Sequence, residues 1–118
     1  MSKFKMIALT NPVDGRDEEF NDWYQNVHLP EVVSREGVVG AQRYKAAVPL
    51  LAPVSYGYLA VYDIETDNIG TFLQAFGAAS ATNTPCDAAD TANSYTVIFN
   101  EFGDRVTHEE AVAKIAAR

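Results

Sequence analysis

Residues 56–64, YGYLAVYDI, are apolar on both of the faces that an extended strand presents. Tyr56, Tyr58, Ala60, Tyr62 and Ile64 share one side, and Gly57, Leu59, Val61 and Asp63 share the other. Residues 95–102 behave similarly, with Tyr95, Val97 and Phe99 on one side and Thr96, Ile98 and Phe102 on the other. An antiparallel sheet with one face in water alternates apolar and polar residues. These two strands therefore call for a sheet that is covered on both sides.

The chain carries two amphipathic stretches to serve as covers. The first follows Asn11-Pro12 and the turn Asp14-Gly15, and opens with Asp17, Glu18 and Glu19, which suit the positive end of a helix dipole. Its apolar stripe is Phe20, Trp23, Tyr24 and Val27, at the i, i+3, i+4, i+7 spacing of a helix that faces a core. Pro30 is expected to break this helix near His28-Leu29, because the residue before a proline is pushed out of helical geometry. Glu31, Val32 and Val33 then make a further turn that Gly37 closes. The second helix begins at Thr66-Asp67 with the stripe Ile69, Phe72, Leu73 and Phe76, weakened by Gly70 and Gly77.

Further strands are expected at residues 4–9 and 38–48, and a long Thr/Asn/Asp/Ala-rich loop at 81–93. Thr107 and Glu110 have capping-box spacing and open a terminal helix through Ala117. The order is βαββαβ plus a tail helix. The expected fold class is α+β: a ferredoxin-like four-stranded antiparallel sheet, in a single domain spanning residues 1–118. Two helices cover one face of such a sheet. The expected cover for the other is a second copy, sheet against sheet, which makes a homodimer closing an α/β barrel.

Charge narrows the partners. A formal net charge of −7 opposes a phosphate-binding surface, so neither nucleic acid nor an anionic membrane is expected as a partner. Residues 57–62 loosely echo the aromatic strand of an RNA-recognition motif, but the charge has the wrong sign. No apolar run approaches the ~20 residues of a membrane span, and the opening residues lack the apolar run of a secretory signal. The single cysteine, Cys86, has no partner for an internal disulfide. A cytoplasmic location is the expectation, with Cys86 a bystander. The two histidines are far apart and have no ligand-spaced neighbours, so no metal is expected.

Several strings resemble a known family. Asn11-Pro12, Gly15, Glu19-Phe20-Asn21-Asp22-Trp23-Tyr24, His28-Leu29-Pro30-Glu31-Val32 and Gln42-Arg43-Tyr44 are similar to the EthD-like branch of the dimeric α/β-barrel proteins. The closing segment Phe102-Gly103-Asp104-Arg105-Val106-Thr107 extends the resemblance over nearly the whole chain. It implies a dimer whose two sheets form one barrel, with a pocket inside the barrel or between each sheet and its helices. Such barrels include cofactor-free monooxygenases and isomerases, polyketide cyclases, decarboxylases and haem-degrading enzymes, as well as members without a known activity.

His28 is the leading candidate for chemistry, since an imidazole exchanges protons near neutral pH and sits where the helix is expected to break beside an apolar stripe. Tyr44 and Tyr62 are the candidate phenols that hydrogen-bond a developing enolate oxygen while His28 removes a carbon-bound proton. Trp23 and Tyr24 have core spacing, and with Gln42 and Tyr58 they are the candidate substrate-binding residues. If the parity of Gln42 and Tyr44 points into the barrel, these side chains line one apolar cavity suited to a small aromatic or polyketide-like ligand. The expected function is cofactor-free lyase, cyclase, isomerase or monooxygenase chemistry by His-mediated proton transfer. The alternative is a non-catalytic ligand-binding or pathway-accessory protein in which His28 is structural.

Overall fold

The computed structural model describes residues 2–118. Its strands are β1 (Ser2–Thr10), β2 (Val38–Lys45), β3 (Tyr58–Thr66) and β4 (Tyr95–Asn100). They form one four-stranded sheet in the order β2-β3-β1-β4, every pair antiparallel. Its helices are α1 (Asp17–Trp23), α2 (Leu29–Val33), α3 (Ile69–Ser80) and α4 (His108–Ala116). A π-helical turn, Tyr24–His28, joins α1 to α2. This is the expected α+β ferredoxin-like arrangement, with the two long strands β1 and β3 at its centre.

Pro30 does not break the first helix, contrary to expectation. His28 and Leu29 both keep right-handed helical angles, and Pro30 sits in the first turn of α2, where a missing N–H is tolerated. The strain is taken up one turn earlier. Leu29 N–H donates to Tyr24 O, five residues back, and this wide turn inserts one extra residue. The insertion also shifts the apolar stripe. The buried residues run Phe20, Tyr24, Leu29, Val32, with a step of five across the wide turn, so Leu29 rather than Val27 enters the core.

Gly37 closes α2 as expected, with a φ of +91°. A Cβ there would lie 2.8 Å from the Phe72 ring, so the turn needs both the left-handed backbone and the missing side chain. Strand β2 ends at Lys45 rather than 48, because β3 starts at Tyr58, the residue that pairs with Lys45. In α3 the Asn68 side chain caps by accepting from Thr71 N–H, which sets the start two residues beyond Thr66-Asp67. Thr107 Oγ1 accepts from Glu110 N–H at 3.2 Å, the expected cap of α4.

The core lies on one face of the sheet. Met6 and Ala8 of β1, Tyr58, Ala60, Tyr62 and Ile64 of β3, and Val38 of β2 pack beneath Phe20, Tyr24, Leu29, Val32 and Phe72. The other face bears no helix. Its central rows read Gln42–Val61–Ile7–Val97 and Tyr44–Leu59–Leu9–Tyr95 across the four strands, flanked by Lys5, Asp63 and Phe99. Lys5 and Asp63 pair with each other there, while Tyr44, Tyr95 and Phe99 are exposed. The two-faced apolar pattern read from β3 and β4 is thus present, and the chain covers only one of the faces.

The molecule is also more extended than its length requires. Its radius of gyration is 17.1 Å, against about 13–14 Å for a compact domain of this size. The β2–β3 connection projects with Val48, Leu50, Leu51 and Val54 exposed, and the C-terminal segment does likewise with Phe102, Val106, Val112 and Ile115.

Candidate functional site

A cavity of about 230 Å³ lies between the helix-bearing face of the sheet and the helices. Its floor is Met6, Ala8 and Tyr62, and the first helix contributes Phe20, Trp23, Tyr24, His28 and Val32. Phe76, Ser80 and Asn83 close one side, and Asp90, Thr91, Ser94 and Thr96 edge it where the chain is more exposed. Apolar walls with a few convergent polar groups are the usual make-up of a small-molecule site.

The π-helical turn positions His28. Its ring stacks on Trp23, with centroids 4.8 Å apart at 23°, and meets Tyr24 edge-on at 4.8 Å. Trp23 is in turn pinned by its indole N–H, which donates to Thr84 O at 3.0 Å. His28 Nδ1 is buried without a hydrogen-bond partner, and the residue forms part of the cavity wall. Burial lowers the His28 pKa from its ordinary 6.5; the nearby charges of Arg35 and Arg43 add to this, and Glu31 opposes it. The imidazole is therefore neutral at pH 7 and able to accept a proton.

Tyr24 and Tyr62 form a buried pair with hydroxyl oxygens 2.9 Å apart. Burial raises both phenols, so both are protonated at neutral pH. One hydroxyl donates to the other, which leaves a single phenolic hydrogen free to point elsewhere. Arg43 lies over the Tyr24 ring at 4.5 Å and donates to Asn21 Oδ1 at 2.8 Å.

The predicted residues divide between two places. His28, Trp23, Tyr24 and Tyr62 line the cavity together. Tyr58 occupies the same face of the sheet but stands beside the cavity, where its hydroxyl donates to Asp17 at 3.1 Å and accepts from Asn21 at 3.0 Å. Gln42 and Tyr44 are on the opposite face: they pair with Val61 and Leu59, whereas Arg43 between them pairs with Ala60 and faces the core. Alternation along β2 therefore separates Tyr44 from His28 by the thickness of the sheet. On β2 it is Arg43 that faces the helices, while Gln42 and Tyr44 share the helix-free face.

Other lining residues were not apparent from sequence. Arg35 follows His28 by seven residues, two helical turns, and this spacing is the one signal that could have placed both on one face. Asn83, Asp90 and Thr91 come from the segment read only as a loop, and nothing local marks them.

One group of potential metal ligands exists among the described residues: Glu19, Cys86 and Asp87, with ligand atoms within 4.8 Å of one another. Arg16 already pairs with both carboxylates, at 2.8 Å to Asp87, so their charge is offset. Neither Cys86 nor this group lines the cavity. No helix of the described residues is long and apolar enough to cross a membrane.

No protein-family model and no curated protein matches the chain. Among solved structures, an ethyl tert-butyl ether D (EthD) family protein from Bacillus halodurans C-125 superposes with a TM-score of 0.59 at 15% identity, over 85% of this chain and 99% of that one. HapK from Hahella chejuensis aligns with a TM-score of 0.45 at 20% identity, over 91% of this chain and 98% of that one. The superposition takes in nearly the whole of the EthD family protein and shows that the two share a fold. This chain has the ferredoxin-like fold of an EthD family protein.

Proposed function

We propose that the protein is an EthD-like, cofactor-free enzyme that takes a proton from an acidic carbon of a small aromatic compound held beneath its first helix. The observation that supports this reading best is the neutral His28 imidazole on the wall of an apolar cavity, next to a phenol pair with one hydrogen to donate. In the reaction the His28 imidazole accepts the carbon-bound proton. The electron pair moves onto an adjacent carbonyl, and the Tyr24–Tyr62 pair donates a hydrogen bond to the resulting enolate oxygen. Glu31, whose charge favours the protonated imidazole, assists the step.

Cavity size limits the ligand. A cavity of about 150 Å³ holds one benzene ring, so about 230 Å³ suits one or two fused rings and not a long polycyclic skeleton. The test is deuterium exchange at the activated carbon of 2-tetralone in D₂O. The expected result is acceleration by the wild type and a loss on the order of 100-fold in His28→Gln, with 2-tetralone binding retained. Binding without exchange in the wild type would instead favour a non-catalytic carrier, with His28 serving the packing of Trp23 and Tyr24.

The same reading includes a homodimer. The helix-free face is centred on Ile7, Leu9, Leu59, Val61 and Val97, and monomers seldom leave an apolar patch of that kind in water. Two copies packed through it would form the barrel and give the projecting segments a surface to cover.

A further inference from the structure

We infer that the ligand of this cavity is an aromatic acid whose carboxylate is received by Arg35. The inference rests on the ligand-binding reading above and adds the ligand's charge to it. Arg35 is the only cationic side chain among the described residues that line the cavity. Its guanidinium donates to Ser80 Oγ at 3.2 Å, to Ala79 O at 3.3 Å and to Asn83 Oδ1, and it lies over the Phe76 ring at 5.0 Å. All of these partners are neutral, and Arg35 makes no ion pair among the described residues.

A half-buried guanidinium normally finds a carboxylate. Neither of the two acidic side chains near the cavity forms an ion pair with Arg35, although Glu31 attracts it across a longer gap. Glu31 accepts from Thr84, through its N–H at 3.1 Å and its hydroxyl at 2.8 Å. Asp90, the only carboxylate among the described lining residues, accepts from Asn93 at 2.8 Å, and its backbone N–H donates to Asn11 O. Arg35 uses three of its five N–H donors on neutral acceptors and is held rigid by them. Two donors remain for a ligand. The surrounding chain, at −7, gives no general attraction for anions, so any anion preference must come from this one group.

The charge also reaches the base. Glu31, Arg35 and Arg43 are the charged groups that act on His28. A carboxylate bound at Arg35 offsets the two cations and raises the His28 titration midpoint.

The experiment compares benzoate with benzamide, which share shape and differ in charge, by calorimetric titration and by NMR titration of the His28 ring in the full chain. Benzoate is expected to bind at least about tenfold more tightly than benzamide and to raise the His28 midpoint. Arg35→Gln is expected to abolish the preference while leaving benzamide binding in place, and Arg35→Lys to keep part of it. Because the outcome is a ratio within one variant, a general loosening of residues 79–83 does not imitate it. If Arg35→Gln fails to fold, Arg35→Lys carries the test, and an undiminished preference there overturns the role of the guanidinium. Benzamide bound as tightly as benzoate by the wild type would overturn the aromatic-acid inference alone. Binding of neither would overturn the cavity reading along with it.

Discussion

Tyr62→Phe removes one hydroxyl of the buried Tyr24–Tyr62 pair and strands the other. The oxygens lie 2.9 Å apart, both residues are buried, and burial keeps both phenols protonated. A hydrogen bond of this kind contributes about 1 kcal/mol net, whereas a buried polar group left without a partner costs about 1–3 kcal/mol. Each single variant, Tyr24→Phe or Tyr62→Phe, should therefore lose about 1–3 kcal/mol. The double variant removes both polar groups together and should lose less than the sum, by about 1 kcal/mol or more. For 118 residues the entropy of unfolding is about 0.25 kcal/mol/K, so each kcal/mol moves the midpoint by about 4 °C. The expected pattern is two singles melting about 4–12 °C low, and a double melting at least about 4 °C above the additive value. Thermal and urea unfolding at one fixed protein concentration measure this, since association would otherwise shift the midpoints. Additive losses would refute the reasoning, because they would mean that the two hydroxyls are satisfied independently.

The lowered His28 pKa has a defined sign in stability. Below the ordinary value of 6.5 the unfolded chain takes up a proton that the folded protein resists. Stability should be flat above that pH and fall as the pH drops from 6.5 through the folded-state value. Urea midpoints from pH 5 to 8 should show this slope in the wild type and a weaker one in His28→Gln. Gly37→Ala combines a φ of +91° with a Cβ 2.8 Å from the Phe72 ring, and should lose about 1–3 kcal/mol by urea denaturation while leaving the cavity intact. Ile7→Lys places a charge at the centre of the helix-free face, between Val61 and Val97, and should convert a dimer to a monomer in sedimentation velocity. A wild-type protein that sediments as a monomer would remove the barrel.

Much of the fold was legible because periodicity and parity are local properties. The alternation in residues 56–64 placed Tyr58, Ala60, Tyr62 and Ile64 on one face, and all four are buried there. Phe20 and Tyr24 of the first stripe and Phe72 of the second, the Gly37 turn and the Thr107 cap follow from the same short-range chemistry, whereas Val27 stays out of the core and Leu73 is exposed. His28, Trp23, Tyr24 and Tyr62 share a cavity largely because helix spacing and strand parity already aligned them.

The misses have a common physical cause. Pro30 is compatible with a continuous helix only because the backbone widens at residues 24–28, a choice made by packing Leu29 and Val32 against the sheet rather than by local preference. Parity along β2 depends on the irregularity between Val38 and Gly40, which shifts the register and turns Arg43, not Tyr44, toward the core. Arg35, Asn83 and Asp90 meet only because α3 and the segment after it fold back across the first helix. The sequence by itself determined the element order, the apolar faces and the position of His28, since each depends on residues a few positions apart. The tertiary structure alone decided which tyrosines share the cavity with His28 and that a guanidinium without a carboxylate partner stands on its wall, because both depend on register and on contacts between residues dozens of positions apart.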